Sequence, residues 1–181
     1  MMKRLALLLL LFGAPAASQT TIAPPGVATG LSFAASGYAN GGTSSLTEVN
    51  LASVKIPANS IGANGVVEIA AAYSITANTN NKTATVRYAA TQGALSGGLG
   101  YAITVGSSNA SIQMVQIIRN ANATNSQVSF LGNQGYGNAT TASGTSTLDT
   151  TQDTWINLNG SVAVGTDVLT LLGWSVKVWK N

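Results

Sequence analysis

The stretch Ile56 to Tyr88 reads IPANSIGANGVVEIAAAYSITANTNNKTATVRY, and its pattern decides the fold. Its middle alternates: Val67, Ile69, Ala71, Tyr73 and Ile75 fall on one face of an extended chain, Glu68, Ala70, Ala72 and Ser74 on the other. A period of two is that of a β-strand, whose successive side chains point to opposite faces, so the first set is expected to face a core. Before the strand, Pro57, Asn59, Gly62 and Gly65 mark a corner. After it come Asn78, Asn80 and Asn81, a residue type that tolerates left-handed backbone and bonds its own main chain in turns. A second strand returns with Ala84, Val86 and Tyr88 inward and Thr83, Thr85 and Arg87 outward. The unit is a β-hairpin or the corner between two sheets.

Outward from this unit, further short strands follow. Residues 46–56 alternate with neither face purely apolar, as expected near a sheet edge. Residues 91–108 are glycine-rich around a weak strand at 99–105. SIQMVQIIRN, at 111–120, sets Ile112, Met114, Gln116 and Ile118 opposite Gln113, Val115, Ile117 and Arg119. A return strand is expected at 127–131, and 133–146 reads as the longest surface loop, with Tyr136 its one large side chain. The closing strands are 154–164 and 168–179, the last with Val168, Thr170, Leu172, Trp174, Val176 and Val178 as its expected core face. No segment has a 3.6-residue repeat. Seven or eight alternating strands with Gly/Asn turns predict an all-β, two-sheet antiparallel sandwich, jelly-roll-like, with an immunoglobulin sandwich as the alternative.

The 181 residues suit one domain. MMKR followed by Leu5 to Phe12, then Gly13 and Pro15 and a run of small residues, has the shape of a secretory signal peptide over 1–18. Residues 19–45, rich in Gly, Ala, Ser, Thr and Pro, are expected as a flexible linker or arm, and 46–181 as the sandwich. Only 7% of residues are charged, so the surface is neutral and rich in hydroxyls and amides. The net charge of +3 includes Lys3 and Arg4; without them six basic residues face five acidic ones. Without clustered Lys and Arg, no nucleic-acid footprint is expected, nor a membrane partner once the signal is removed. Cysteine and histidine are absent, which excludes thiol and imidazole chemistry and Cys/His zinc sites.

The order of the segments resembles a jelly-roll domain of tailed-phage virion proteins, found in tail-tip, fibre, baseplate and head-decoration components. The resemblance rests on IPANSIGANG before an apolar strand, NNKTATVRY, SQV at 126–128, LDTTQDTWINL at 148–158 and GTDVLTLLGWSVKVW at 165–179. It covers about 46–179. Ile56, Pro57, Ala58, Asn59, Gly62, Gly65, Asn81, Lys82, Arg87, Gln127, Asp149 and Asp167 match its architectural positions, and no catalytic role travels with them. What the resemblance implies is a non-enzymatic virion component without a cofactor. It would act as a homo-oligomer, a trimer among its candidate states, contacting other virion proteins or a host-surface glycan. The signal peptide departs from that family. It supports the alternative of a secreted bacterial carbohydrate-binding or extracellular matrix module of prophage ancestry.

Among candidate chemistries, a glycosidase needs two carboxylates about 5–10 Å apart across a sugar. Asp149 and Asp153 are close in sequence but read more simply as turn-forming. The loop signature of a calcium site is absent. An aromatic ring beside amides could stack on a sugar, which singles out Trp155 with Asn157 and Asn159, and Tyr136, as the candidate glycan or partner contacts. The simpler reading of Trp155 is burial at the core or in a subunit interface.

Overall fold

The computed structural model describes residues 30–38, 41–130 and 144–181, and all regular structure among them is strand. The strands are β1 (Gly30–Tyr38), β2 (Gly42–Thr43), β3 (Val49–Ile56), β4 (Val66–Ile75), β5 (Lys82–Ala89), β6 (Leu99–Val105), β7 (Ser111–Asn120), β8 (Gln127–Phe130), β9 (Gly144–Ser146), β10 (Thr154–Val162) and β11 (Leu169–Lys180). One sheet has the order β1-β11-β4-β7-β8-β9, with β2 extending the β1 edge along β11; the other has the order β3-β10-β5-β6. Every pairing is antiparallel.

The pairs are nested: β1 with β11, β3 with β10, β4 with β7 and β5 with β6. A ribbon of strands paired from its ends inward and rolled into two facing sheets is a jelly roll. The expected two-sheet sandwich is therefore the observed one. An immunoglobulin sandwich sets its first strand beside its second, whereas here the first lies beside the last.

The core fills the gap between the sheets. β4 contributes Val67, Ile69, Ala71, Tyr73 and Ile75, all buried, and β7 contributes Ile112, Met114 and Ile118. Val86 and Tyr88 from β5 and Ile156 and Leu158 from β10 close it from the other side. Burial pushes the Tyr88 phenol up to about 12 and pushes Tyr73 higher still. Gln116 is also buried on the core face of β7, with neither amide atom hydrogen-bonded among the described residues.

Two expectations change. In β11 the buried residues are Leu169, Leu171, Val176 and Val178, while Val168 and Leu172 are exposed. A bulge between Leu171 and Gly173 inserts one residue against β4 and reverses the alternation. The strand thus presents apolar residues to the core on both sides of a phase change that a strict period of two cannot show. Residues 19–45, expected as linker or arm, contain in their described part an edge strand: β1 pairs with β11 from Gly30↔Lys180 to Tyr38↔Gly173. Phe33 and Ala35 pack against the core, so the sandwich begins before Leu46. The proposed signal segment 1–18 and Tyr136 lie outside the described residues.

The corner that precedes β4 is held by a buried polar cluster. Gln127 donates to Asn120 Oδ1 and to the Leu148 carbonyl, both at 2.9 Å, and accepts from the Leu148 N–H at 2.8 Å. Asn120 in turn donates to the Gly62 carbonyl and to Thr150 Oγ1. Gly65 cannot carry a side chain: a Cβ there would lie 1.8 Å from the Ile61 carbonyl oxygen. Asn59, at φ 61°, takes the left-handed conformation its residue type tolerates and donates its N–H to the Thr150 carbonyl at 3.0 Å.

Candidate functional site

The outer face of the smaller sheet carries Trp155, Asn157 and Asn159 along β10. It is not an open face. The connection between β5 and β6 folds back over it, and the amides are its anchors. Asn157 accepts from the Gly93 N–H and from Ser53 Oγ, both at 2.7 Å, and donates to the Thr91 carbonyl at 3.1 Å. Asn159 donates to the Ala94 carbonyl at 3.1 Å and to Glu48 Oε1 at 2.7 Å, and accepts from Asn50. Arg87 extends the network, pairing with Glu48 at 3.7 Å and donating to the Gly97 carbonyl at 3.2 Å.

Both asparagines are fully buried. A fully buried amide whose oxygen is already engaged has no open side toward a sugar hydroxyl. Asn157 and Asn159, expected as candidate glycan or partner contacts, are placed beneath the loop and tie it to the sheet. Trp155 is half-buried, beside Lys55 and Ala89 in register. The structure thus does not assemble Trp155 and the two amides into one accessible platform.

The carboxylates hold turns. Asp149 Oδ1 accepts from the Thr151 hydroxyl at 2.7 Å and its N–H at 2.9 Å, and these bonds hold its pKa below the usual value. Asp153 accepts from the Ala58 N–H at 2.9 Å and pairs with Lys55 at 2.6 Å; Lys55 first, then Ala58, lowers its pKa. Asp167 and Lys82 form a buried pair at 3.2 Å. Burial raises the Asp167 carboxyl, and hydrogen bonds from Asn78, Asn80 and Lys82 with the charge of Lys82 overturn that, leaving it below its ordinary value. Among the remaining architectural positions, Ile56 is core, Pro57 is exposed at the corner, and the Asn81 carbonyl accepts from Ala163 at 2.8 Å.

The open surface lies on the other side of the molecule, on the outer face of the larger sheet. Val115 and Ile117 of β7 are 50% and 37% exposed, and Leu31 of β1 is 56% exposed. Between them run small residues: Ala70 and Ala72 of β4 and Gly173 and Ser175 of β11 line a shallow trough of about 360 Å³. The charges in the middle of this face neutralise each other, Glu68 with Lys177 at 3.3 Å. Arg119 stands at one end. The sequence signal for this face was the strand SIQMVQIIRN itself, which is apolar on both sides at Val115 and Ile117.

No family model and no curated protein matches the sequence. A solved chain from the infectious bursal disease virus Gx strain aligns with 83% of this chain at 14% identity and a TM-score of 0.19. This chain spans 39% of that one, and a likeness so slight carries no argument.

Proposed function

We propose that this protein is a non-enzymatic, phage-like structural subunit that assembles with further copies of itself through the outer face of the larger sheet. The observation that carries the reading is the chemistry of that face. It is shallow, built mainly of Ala, Ser, Gly, Val and Ile with Gln113 and Trp174 along the trough, and its Glu68 and Lys177 pair with each other. The four long strands β1, β11, β4 and β7, about 4.8 Å apart and roughly ten residues long at about 3.3 Å each, make a face on the order of 600 Å², the lower end of what one partner of a standard interface buries. With Glu68 and Lys177 paired, the remaining charge of this face among the described residues is Arg119 at one end. A two-fold or ring contact that keeps the copies' Arg119 side chains apart therefore meets no like-charge repulsion. The nested jelly-roll topology and the charge-poor sequence agree with a shell or appendage component.

Light scattering on the purified protein tests this, with Val115→Lys as the matched variant. A concentration-dependent oligomer that Val115→Lys reduces to monomer, with the melting temperature of the isolated subunit unchanged, supports the reading. A monomer at high concentration overturns it. The secreted carbohydrate-binding alternative rests on Trp155 without the two amides, and a glycan array with no signal removes it.

A further inference from the structure

Where the β4–β5 and β10–β11 turns meet, a lysine, a carboxamide and a carboxylate are in mutual contact. Lys82 is fully buried, and Asp167 is 2% exposed. The Lys82 Nζ touches Asn78 Oδ1, donates to the Asn80 carbonyl at 2.8 Å and lies 3.2 Å from Asp167 Oδ2. The other carboxylate oxygen, Asp167 Oδ1, accepts from Asn78 Nδ2 at 2.7 Å. Asp167 therefore bridges the amine nitrogen and the amide nitrogen of the carboxamide that the amine touches. Asn80 Nδ2 donates to Asp167 Oδ2 at 3.1 Å and holds the carboxylate in place.

We propose that Lys82 and Asn78 condense into an intramolecular isopeptide bond, with Asp167 carrying the proton between the nitrogens. The Lys82 ammonium gives a proton to the Asp167 carboxylate, and the freed amine attacks Asn78 Cγ. The new C–N bond pushes the carbonyl electron pair onto Oδ1. A proton from Nζ passes to Nδ2, the Cγ–Nδ2 bond breaks as the carbonyl re-forms, and ammonia leaves. Ammonia takes the proton back from Asp167 and departs as ammonium, so charge and atoms balance and no co-reactant is needed.

The physical case has three parts. Nζ and Oδ1, already in contact, become the nitrogen and oxygen of one amide. A nucleophile fixed beside its electrophile reacts as though at an effective concentration of about 10⁵ M or more. A buried lysine beside a base is the arrangement that activates an amine for acyl chemistry. The bond would lock the turn that also receives the Ala163 N–H at the Asn81 carbonyl, fixing the end of the sandwich where four strands converge. This inference is independent of the assembly proposed above.

Mass spectrometry of a tryptic digest of the denatured protein decides it. Acylated Lys82 resists trypsin, so the expected product is the uncut peptide Ile56 to Arg87, lighter than its sequence by one ammonia. Lys82→Arg and Asp167→Asn should each give peptides of full mass. Cleavage after Lys82 with full mass overturns the proposal. So does cleavage after Lys82 with ammonia lost, which marks a succinimide at Asn78, and so does loss of water, which marks a Lys82–Asp167 bond. Should either variant fail to fold, the mass and cleavage of the wild-type peptide suffice to accept or reject the bond.

Discussion

Asn157 shows how a single polar residue reverses its meaning between sequence and structure. Beside Trp155 in an alternating strand it reads as a solvent-facing amide, yet it is buried beneath the β5–β6 loop and bonded to Ser53, Gly93 and Thr91. Asn157→Ala should lower stability by about 1–3 kcal/mol, the cost of leaving buried partners unsatisfied. Urea unfolding measures that loss, and faster hydrogen exchange at Gly93 shows the loop released. At Asp153 the folded pKa is lowered by Lys55 and then by the Ala58 N–H. A group depressed in the folded state stabilises above its unfolded pKa and loses that contribution as pH falls through the folded value. The melting temperature should therefore fall as pH drops below about 4, and Asp153→Asn should make that fall shallower. A variant whose acid profile overlays the wild type would refute the assignment.

At the level of elements, the corner before β4 and the bulge in β11 set how the strands meet. Gly65 is closed in by the carbonyls of Ile61 and Trp179, at 1.8 and 2.6 Å from where a Cβ would stand. Both obstacles are backbone, so Gly65→Ala must displace the corner and should cost roughly 3 kcal/mol. Gly30→Ala, with nothing within 4 Å, serves as the control in the same thermal melts. The alternation of β4 and β7 was legible in the sequence because both strands stay in phase throughout. That of β11 was not, because its bulge follows from register against β4 rather than from any residue preference in LTLLGW. Similarly, β3 looked mixed in character because a register shift opposite Leu158 and Asn159 lets both Leu51 and Ala52 reach the core.

For the whole molecule, the two outer faces have different fates. The smaller sheet is roofed by its own loop, and the larger one presents Val115, Ile117 and the small-residue trough to its surroundings. Assembly through a face with so few charges should be driven by apolar burial, with the Glu68–Lys177 pair and Arg119 at one end subject to screening. Its dissociation constant should then change less than about tenfold between roughly 0.05 and 1 M salt. Sedimentation equilibrium across that range checks it, and dissociation at high salt would show that charge contacts dominate instead.

The sequence by itself determined the class of fold, the core faces of β4 and β7, and the corner and turns around them. These follow from local rules: alternation, proline and glycine geometry, and the turn chemistry of asparagine. Only the tertiary structure decided which outer face is covered, where β11 changes phase, and that Lys82, Asn78 and Asp167 meet. Each depends on contacts between segments far apart in the chain, and a polar side chain carries no local mark of whether water or a distant loop will satisfy it.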